Sequence, residues 1–294
     1  MTDLAGSGPT YLTVKELAQL LRIKERRVYD LASSGQLPVS RATGKLLFPA
    51  EEVHALIEGA KTAPPAPVAR PPILLGSHDP LLDWALRESG CGLAAWFDGS
   101  EDGLSRFVSG GGVAAGLHIN DAASGAWNVP AVTRACAGMN AVLIGVATRA
   151  RGFIVRPGTR HPADVSDLDG LRVVPRQPGS GTEILFDERA RAAGIDPADI
   201  DRIATARTET DAAQAVARGD ADVAFGLEAV ARSFGLKFAP VIEERFDLLV
   251  DRAAWFSPPL QALVAFCAGP EFAARAANLG GYDVSAFGTV RWNA

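Results

Sequence analysis

The chain has 294 residues, 48% of them hydrophobic, and a formal net charge of −5. That length allows two domains with full apolar cores, and the acidic balance excludes a protein that coats nucleic acid along its whole surface. The three cysteines, Cys91, Cys136 and Cys267, lie far apart without metal-ligand spacing, which excludes a disulfide framework and a cysteine-held metal and predicts a reduced, cytoplasmic compartment. Residues 1–10 lack the basic start and apolar run of a secretory signal. The longest apolar stretch, 141–147, is too short to cross a bilayer, so no membrane partner is expected.

Thr13-Val14-Lys15-Glu16 reads as a capping box, with Thr13 capping a helix and Glu16 reaching back. Leu17, Leu20 and Leu21 supply the apolar face of that helix. Arg22-Ile23-Lys24 turns the chain into a second helix over 25–32, with Val28 and Leu31 inward and Ser33-Ser34-Gly35 at its end. Residues 39–48 hold a Thr43-Gly44 turn between short extended segments, a two-stranded wing. Pro49 marks the next helix, whose apolar face is Val53, Leu56 and Ile57. Between Arg22 and Lys45 six basic residues stand against two acidic ones, so a locally basic module opens an acidic chain.

The order helix, turn, helix, wing, helix has distinctive wording. It runs Tyr11-Leu12-Thr13-Val14-Lys15-Glu16-Leu17-Ala18-Gln19-Leu20-Leu21, then Val28-Tyr29, Ser34-Gly35-Gln36-Leu37-Pro38, Gly44-Lys45 and Phe48-Pro49. It resembles the excisionase and MerR-type winged helix-turn-helix domains over residues 11–61. The resemblance implies double-stranded DNA as partner, with the second helix in the major groove and the wing on the backbone. Lys24, Arg26 and Arg27 would then face base edges or phosphates, and Arg41 and Lys45 would neutralise phosphates. A solvated basic face on a small interaction domain is the plainer reading of the same charges.

Residues 62–72 contain Pro64, Pro65, Pro67, Pro71 and Pro72, a semi-rigid spacer before a larger domain over 73–294. That domain alternates strand and helix signals. A strand at 73–75 precedes a helix through 82–88, and 113–119 and 141–147 are further strands. The segment 153–158 reads as an extended crossover, 211–218 as a helix and 246–250 as a last strand. The alternation implies α/β architecture with an open, mostly parallel sheet and ligands at the strand carboxyl ends.

Within it, Leu171-Arg172-Val173-Val174 reads as a strand, followed by Arg176-Gln177-Pro178-Gly179-Ser180-Gly181-Thr182 and a helix over 183–193. Glycines on both sides of Ser180 let the backbone approach a ligand. With Thr182 as N-cap, free amides, two hydroxyls and one arginine would form an oxyanion pocket. The pattern lacks the lysine of a nucleotide P-loop. An ordinary capping turn is the competing reading.

Several further segments carry a resemblance over 73–290 to the type II periplasmic-binding-protein fold, in its cytoplasmic form fused to a helix-turn-helix. They are Gly76-Ser77-His78-Asp79-Pro80, Gly116-Leu117-His118-Ile119, Trp127-Asn128-Val129-Pro130, Gly226-Leu227-Glu228-Ala229 and Gly280-Gly281-Tyr282-Asp283. The Arg176 to Thr182 loop also resembles the anion loop of molybdate- and tungstate-binding proteins. The resemblance implies two lobes joined by crossovers at 152–158 and 240–249, with the ligand between them. Candidate contacts are Ser77, Ser100, His118, Arg176, Ser180, Gly181, Thr182 and Glu228. Ser77 and Ser180 would bring two helix N-termini to one anion. Glu228 would repel an anion unless it pairs with Arg176 or meets an amine.

No nucleophile triad or metal set emerges, so neither a catalytic role nor a catalytic cofactor is expected. The expectation is a homodimeric, one-component transcriptional regulator with an oxyanion effector, molybdate or tungstate first. Two alternatives stay open. One is a sensor of an organic ligand, such as an amino acid or cofactor precursor. The other is a DNA-binding accessory factor whose large domain only mediates assembly.

Overall fold

β1 (Tyr11–Thr13) runs directly into α1 (Val14–Leu21) because Thr13 both ends the strand and caps the helix. Its Oγ1 accepts from the Glu16 amide at 3.3 Å, and Glu16 Oε2 accepts from the Thr13 amide at 2.8 Å. The computed structural model describes residues 10–41, 44–59 and 69–294, and the chain divides into two units between Val68 and Ala69.

In the first unit Arg22 takes a left-handed conformation, ends α1 and redirects the chain into α2 (Glu25–Ser33). Ser40 and Leu47 exchange backbone hydrogen bonds at the base of the wing, and β2 (Leu47–Pro49) pairs antiparallel with β1. Thr43 of the expected turn and residues 62–68 of the spacer lie outside the described residues. α3 (Ala50–Gly59) begins one residue after Pro49, which still belongs to the strand.

Leu17, Ala18, Val28, Ala32, Leu37, Phe48 and Val53 form the core, with Leu31 packed partly against it. Two expected core residues point outward: Leu20 is 44% exposed and Leu56 45%. The inward stripe of α1 is Val14, Leu17, Ala18 and Leu21, at the three- and four-residue steps of one helical face, and Leu20 falls off it.

The second unit begins with β3 (Ile73–Gly76), α4 (Pro80–Glu88), β4 (Ala94–Phe97), α5 (Ser100–Val108) and β5 (Ala114–Leu117). A small hairpin, β6 (Asn120–Asp121) and β7 (Ala126–Trp127), then leads through α6 (Val129–Ala135) into β8 (Ala141–Val155). β9 (Val173–Val174), α7 (Gly181–Ala192), α8 (Glu209–Arg218), β10 (Val223–Leu227) and α9 (Glu228–Ser233) follow. The chain returns through β11 (Lys237–Asp251) and closes with α10 (Arg252–Trp255), α11 (Pro258–Cys267), α12 (Pro270–Leu279), β12 (Tyr282–Asp283) and β13 (Val290–Asn293).

The sheet order is β4-β3-β5-β11-β8-β10-β9, with β12 and β13 also on β8. β8 and β11 are each 15 residues long and pair antiparallel from Lys237↔Val155 to Asp251↔Ala141, with register shifts between Pro240 and Ile242 and between Phe246 and Asp247. β5 and β13 join one end of this pair and β10 the other, so the same two strands serve two lobes. Leu74, Phe246 and Phe272 anchor the core of lobe one; Phe153, Phe186 and Phe225 anchor that of lobe two.

Two expectations are corrected here. The sheet is mixed, because only β3–β4, β3–β5 and β9–β10 are parallel while every strand on β8 or β11 is antiparallel. Residues 152–155 already pair with β10 inside lobe two, so the first crossing lies earlier, in the middle of β8. A strand that continues through both lobes carries no turn residue to mark the border.

Candidate ligand-binding site

Ser77, Ser100 and His118 stand at the carboxyl ends of lobe-one strands. α5 packs so closely on β3 that a Cβ at Gly103 would collide with the Gly76 backbone, and Gly76 itself has φ +105°. This approach sets Ser100 Oγ 2.8 Å from Ser77 Oγ, and Ser100 Oγ also accepts from the His118 amide at 3.1 Å. Asp79 caps α4, accepting from the Leu82 amide at 2.7 Å, which leaves the Ser77 hydroxyl out of that task.

Lobe two presents the N-terminus of α7. Ser180 is its cap, accepting from the Glu183 amide at 3.2 Å; Thr182, the expected cap, lies inside the first turn and donates to Glu209 Oε1 at 3.0 Å. The lobes touch here. The Glu101 amide donates to the Gly179 carbonyl at 3.3 Å, and a Cβ on Gly181 would collide with the His118 carbonyl. The first turns of α5 and α7 therefore close on one another, with Ser77, Ser100, His118, Ser180 and Thr182 all buried between them.

Beneath them lies a buried chain of charges. Arg149 and Arg151 share one face of β8 at the crossing. Arg149 Nη1 is 2.7 Å from Asp79 Oδ2 and its Nη2 contacts Glu244; Arg151 Nε is 2.6 Å from Glu244 Oε2 and its Nη2 is 3.0 Å from Glu209 Oε1. Arg176 Nη1 is 2.9 Å from the same Glu209 oxygen, Tyr282 Oη donates to Asp79 at 2.7 Å, and His118 Nδ1 is 3.2 Å from Glu244 Oε2. Three arginines thus meet three carboxylates. Burial disfavours the Glu209 charge, but Arg151 and Arg176 outweigh it and hold the carboxyl at about 2. Glu244 is likewise driven well down by Arg149 and Arg151 against its burial. Burial pushes the His118 imidazole down, against the pull of Glu244.

Of the residues expected from sequence, Ser77, Ser100, His118, Ser180, Gly181 and Thr182 come together. Arg176 is buried below them with its donors turned to lobe two, where Nε reaches the Ala206 carbonyl at 3.1 Å and Nη2 the Arg207 carbonyl at 2.9 Å. Glu228 pairs with Arg232 at 3.0 Å, one helical turn on, rather than with Arg176. Arg149, Arg151, Glu209 and Glu244 are absent from the sequence reading, and Asp79 and Tyr282 stand in segments that carry the resemblance without being among the expected contacts. The available signal was Arg149-Ala150-Arg151, two charges on one face of an otherwise apolar strand. On the first unit, Lys24, Arg26 and Arg27 are exposed at the start of α2, and Arg41 and Lys45 are exposed on either side of the wing turn.

Comparison with known proteins agrees with this architecture. Residues 84–268 match the PBP superfamily domain and residues 11–61 a helix-turn-helix domain. The chain is 27% identical over 303 residues to the uncharacterized protein YvgK of Bacillus subtilis (strain 168), covering 95% of this chain and 96% of that one. It is 33% identical over 109 residues to an uncharacterized Clostridium pasteurianum protein from the 5′ region of a 2Fe-2S ferredoxin gene, covering 36% of this chain and 96% of that one. Among solved structures, a protein described as a phosphate ABC transporter substrate-binding protein with bound phosphate, from Clostridium perfringens, aligns at TM-score 0.53 and 10% identity over 74% of this chain and 98% of its own. The sulfate-binding protein SubI of Mycobacterium tuberculosis H37Rv aligns at TM-score 0.52 and 14% identity over 72% of this chain and 86% of its own. At such identities the likeness is one of fold.

Proposed function

The chain belongs to the PBP superfamily, with a helix-turn-helix domain ahead of the matched region, and from that membership we propose that it is a one-component transcriptional regulator whose second unit senses a small oxyanion. One observation carries the ligand class. The first turns of α5 and α7 meet in a closed cleft with Ser77, Ser100 and Ser180, while each arginine below already has a carboxylate partner. An anion entering this cleft would be held by hydroxyls and helix-terminal amides, which suit a small, fully ionised tetrahedral anion. Molybdate and tungstate are favoured because the loop from Arg176 to Thr182 resembles the anion loop of proteins that bind them. The residues themselves support only an anion; the choice of molybdate or tungstate rests on the resemblance.

The first unit would read double-stranded DNA in the cytoplasm, with α2 in the major groove and the wing on phosphates. A module this small gains useful affinity by engaging two half-sites, so a homodimer is part of the proposal. Its role is binding without catalysis. Calorimetric titration of the full chain with molybdate, tungstate, sulfate and phosphate tests the ligand class. Binding that Ser100→Ala weakens at least tenfold supports it, since a hydrogen bond to a charged group is worth about 1.5–3 kcal/mol. No heat with any of the four ions would overturn it.

A further inference from the structure

The crossover strands have a second face. Alternation along β8 and β11 turns Arg149, Arg151 and Glu244 toward the buried charges and puts Thr148, Glu243 and Arg245 on the opposite side. There they line an open pocket of about 540 Å³ with Ala126, Trp127 and Val129. That size falls within the ~300–1,000 Å³ of small-molecule sites. None of these residues belongs to the cleft between α5 and α7.

The chemistry of the lining is specific. Glu243 and Arg245 are exposed, stand two residues apart on one strand face, and have no ion-pair partner within 4.0 Å among the described residues. Their backbone positions are about 7 Å apart, so both side chains can reach one small molecule between them. Ala126, Trp127 and Val129 give an apolar wall beside the two charges. We propose that this pocket binds a zwitterion with an apolar side chain, an α-amino acid by chemical class. Its carboxylate would lie on Arg245, its ammonium on Glu243 and its side chain against Trp127.

The location gives such a ligand a use. Trp127 belongs to a lobe-one hairpin yet packs against the lobe-two core, and Arg245 lies opposite Thr148 at the crossing itself. A molecule seated there touches both crossover strands and the hairpin that leans across them. It would stabilise one arrangement of the lobes by its differential contacts, a second input beside the cleft. This proposal stands apart from the oxyanion reading and survives if that reading fails.

The test is calorimetric titration of the full chain with each of the twenty standard amino acids. Leucine and phenylalanine should bind, and Glu243→Gln and Arg245→Ala should each weaken them about tenfold or more. Both residues are exposed, so the variants should keep the wild-type far-ultraviolet spectrum. Ser100→Ala, which acts at the cleft, should not abolish amino-acid binding. Phenylacetate and phenethylamine, which carry one charge each, should bind at least tenfold more weakly than phenylalanine, as each forfeits one ion pair. The proposal is overturned if no amino acid gives heat, if binding survives both strand variants, if Ser100→Ala abolishes it, or if either single-charge probe matches phenylalanine.

Discussion

Glu209 and Arg151 join the second lobe to the hinge: Glu209 Oε1, at the first turn of α8, is 3.0 Å from Arg151 Nη2 on the crossover strand. The same oxygen also takes Arg176 and Thr182. Removing its charge leaves the buried Arg176 without a carboxylate and leaves Arg151 with Glu244 alone. Glu209→Gln should therefore cost about 3–5 kcal/mol, the usual result of breaking a buried pair from one side. Urea unfolding monitored by circular dichroism would measure it; a loss below about 1 kcal/mol, the level of an exposed pair, would show that the arginines find other partners.

Acid should weaken the second unit over two pH ranges. Burial holds His118 neutral in the fold, so the unfolded chain binds its proton first, and stability declines as pH falls through about 6.5. Glu209 is ionised in the fold down to about 2, so its contribution is present above the unfolded value and lost between about pH 4.3 and 2, a change on the order of 3 kcal/mol. A stability profile that is flat from pH 7 to pH 3 would contradict both assignments.

Gly181→Ala should block closure without unfolding either lobe. The added Cβ would collide with the His118 carbonyl and stand 2.8 Å from its imidazole ring. Gly181 has ordinary helical geometry at the start of α7, so alanine is tolerated once the lobes separate. The variant should lose cleft-ligand binding and show a larger radius of gyration in solution scattering. An unchanged radius with full binding would mean that the contact is soft.

Ser180→Ala and Thr182→Ala should differ in kind. Ser180 caps α7, and losing the cap costs about 1 kcal/mol of stability in addition to any ligand contact. Thr182 acts through Glu209, so its loss should affect stability and lobe closure more than anion contact. Parallel unfolding and titration of the two variants separates these effects.

Charge reversal at Arg26 and Arg27 should abolish operator binding and leave cleft-ligand affinity intact, since both side chains are exposed on the first unit. Each lost phosphate contact should lower the salt dependence of binding by about one unit. A gel-shift affinity equal to wild type would remove α2 as the reading helix.

The fold was legible where local chemistry is decisive. The Thr13 capping box, the turn at Arg22, the strand before Ser77 and the strand–loop–helix around Ser180 all follow from short-range preferences. What escaped depends on distant partners. Glu244 lies between Glu243 and Arg245, and nothing in that triplet says which charge is buried; only pairing with Arg149 decides it. Glu209 resembles any first-turn acid until Arg151 and Arg176 arrive from other segments. Thr182 looked like a cap because it precedes the apolar run, whereas the helix starts earlier, where Gly181 packs on His118. The border between the lobes was misplaced because β8 passes through it without a break.

That unbroken passage has a mechanical consequence. A hydrogen-bonded pair of strands resists stretching and sliding but yields to torsion where its register slips, and Gly152 sits at one such slip, too close to the Ala239 carbonyl to carry a side chain. The lobes are thus mounted on a single torsion strip. A twist of it would turn one lobe against the other as a rigid unit, so occupancy of the proposed cleft site would become an angle, carried by the backbone with little rearrangement inside either core.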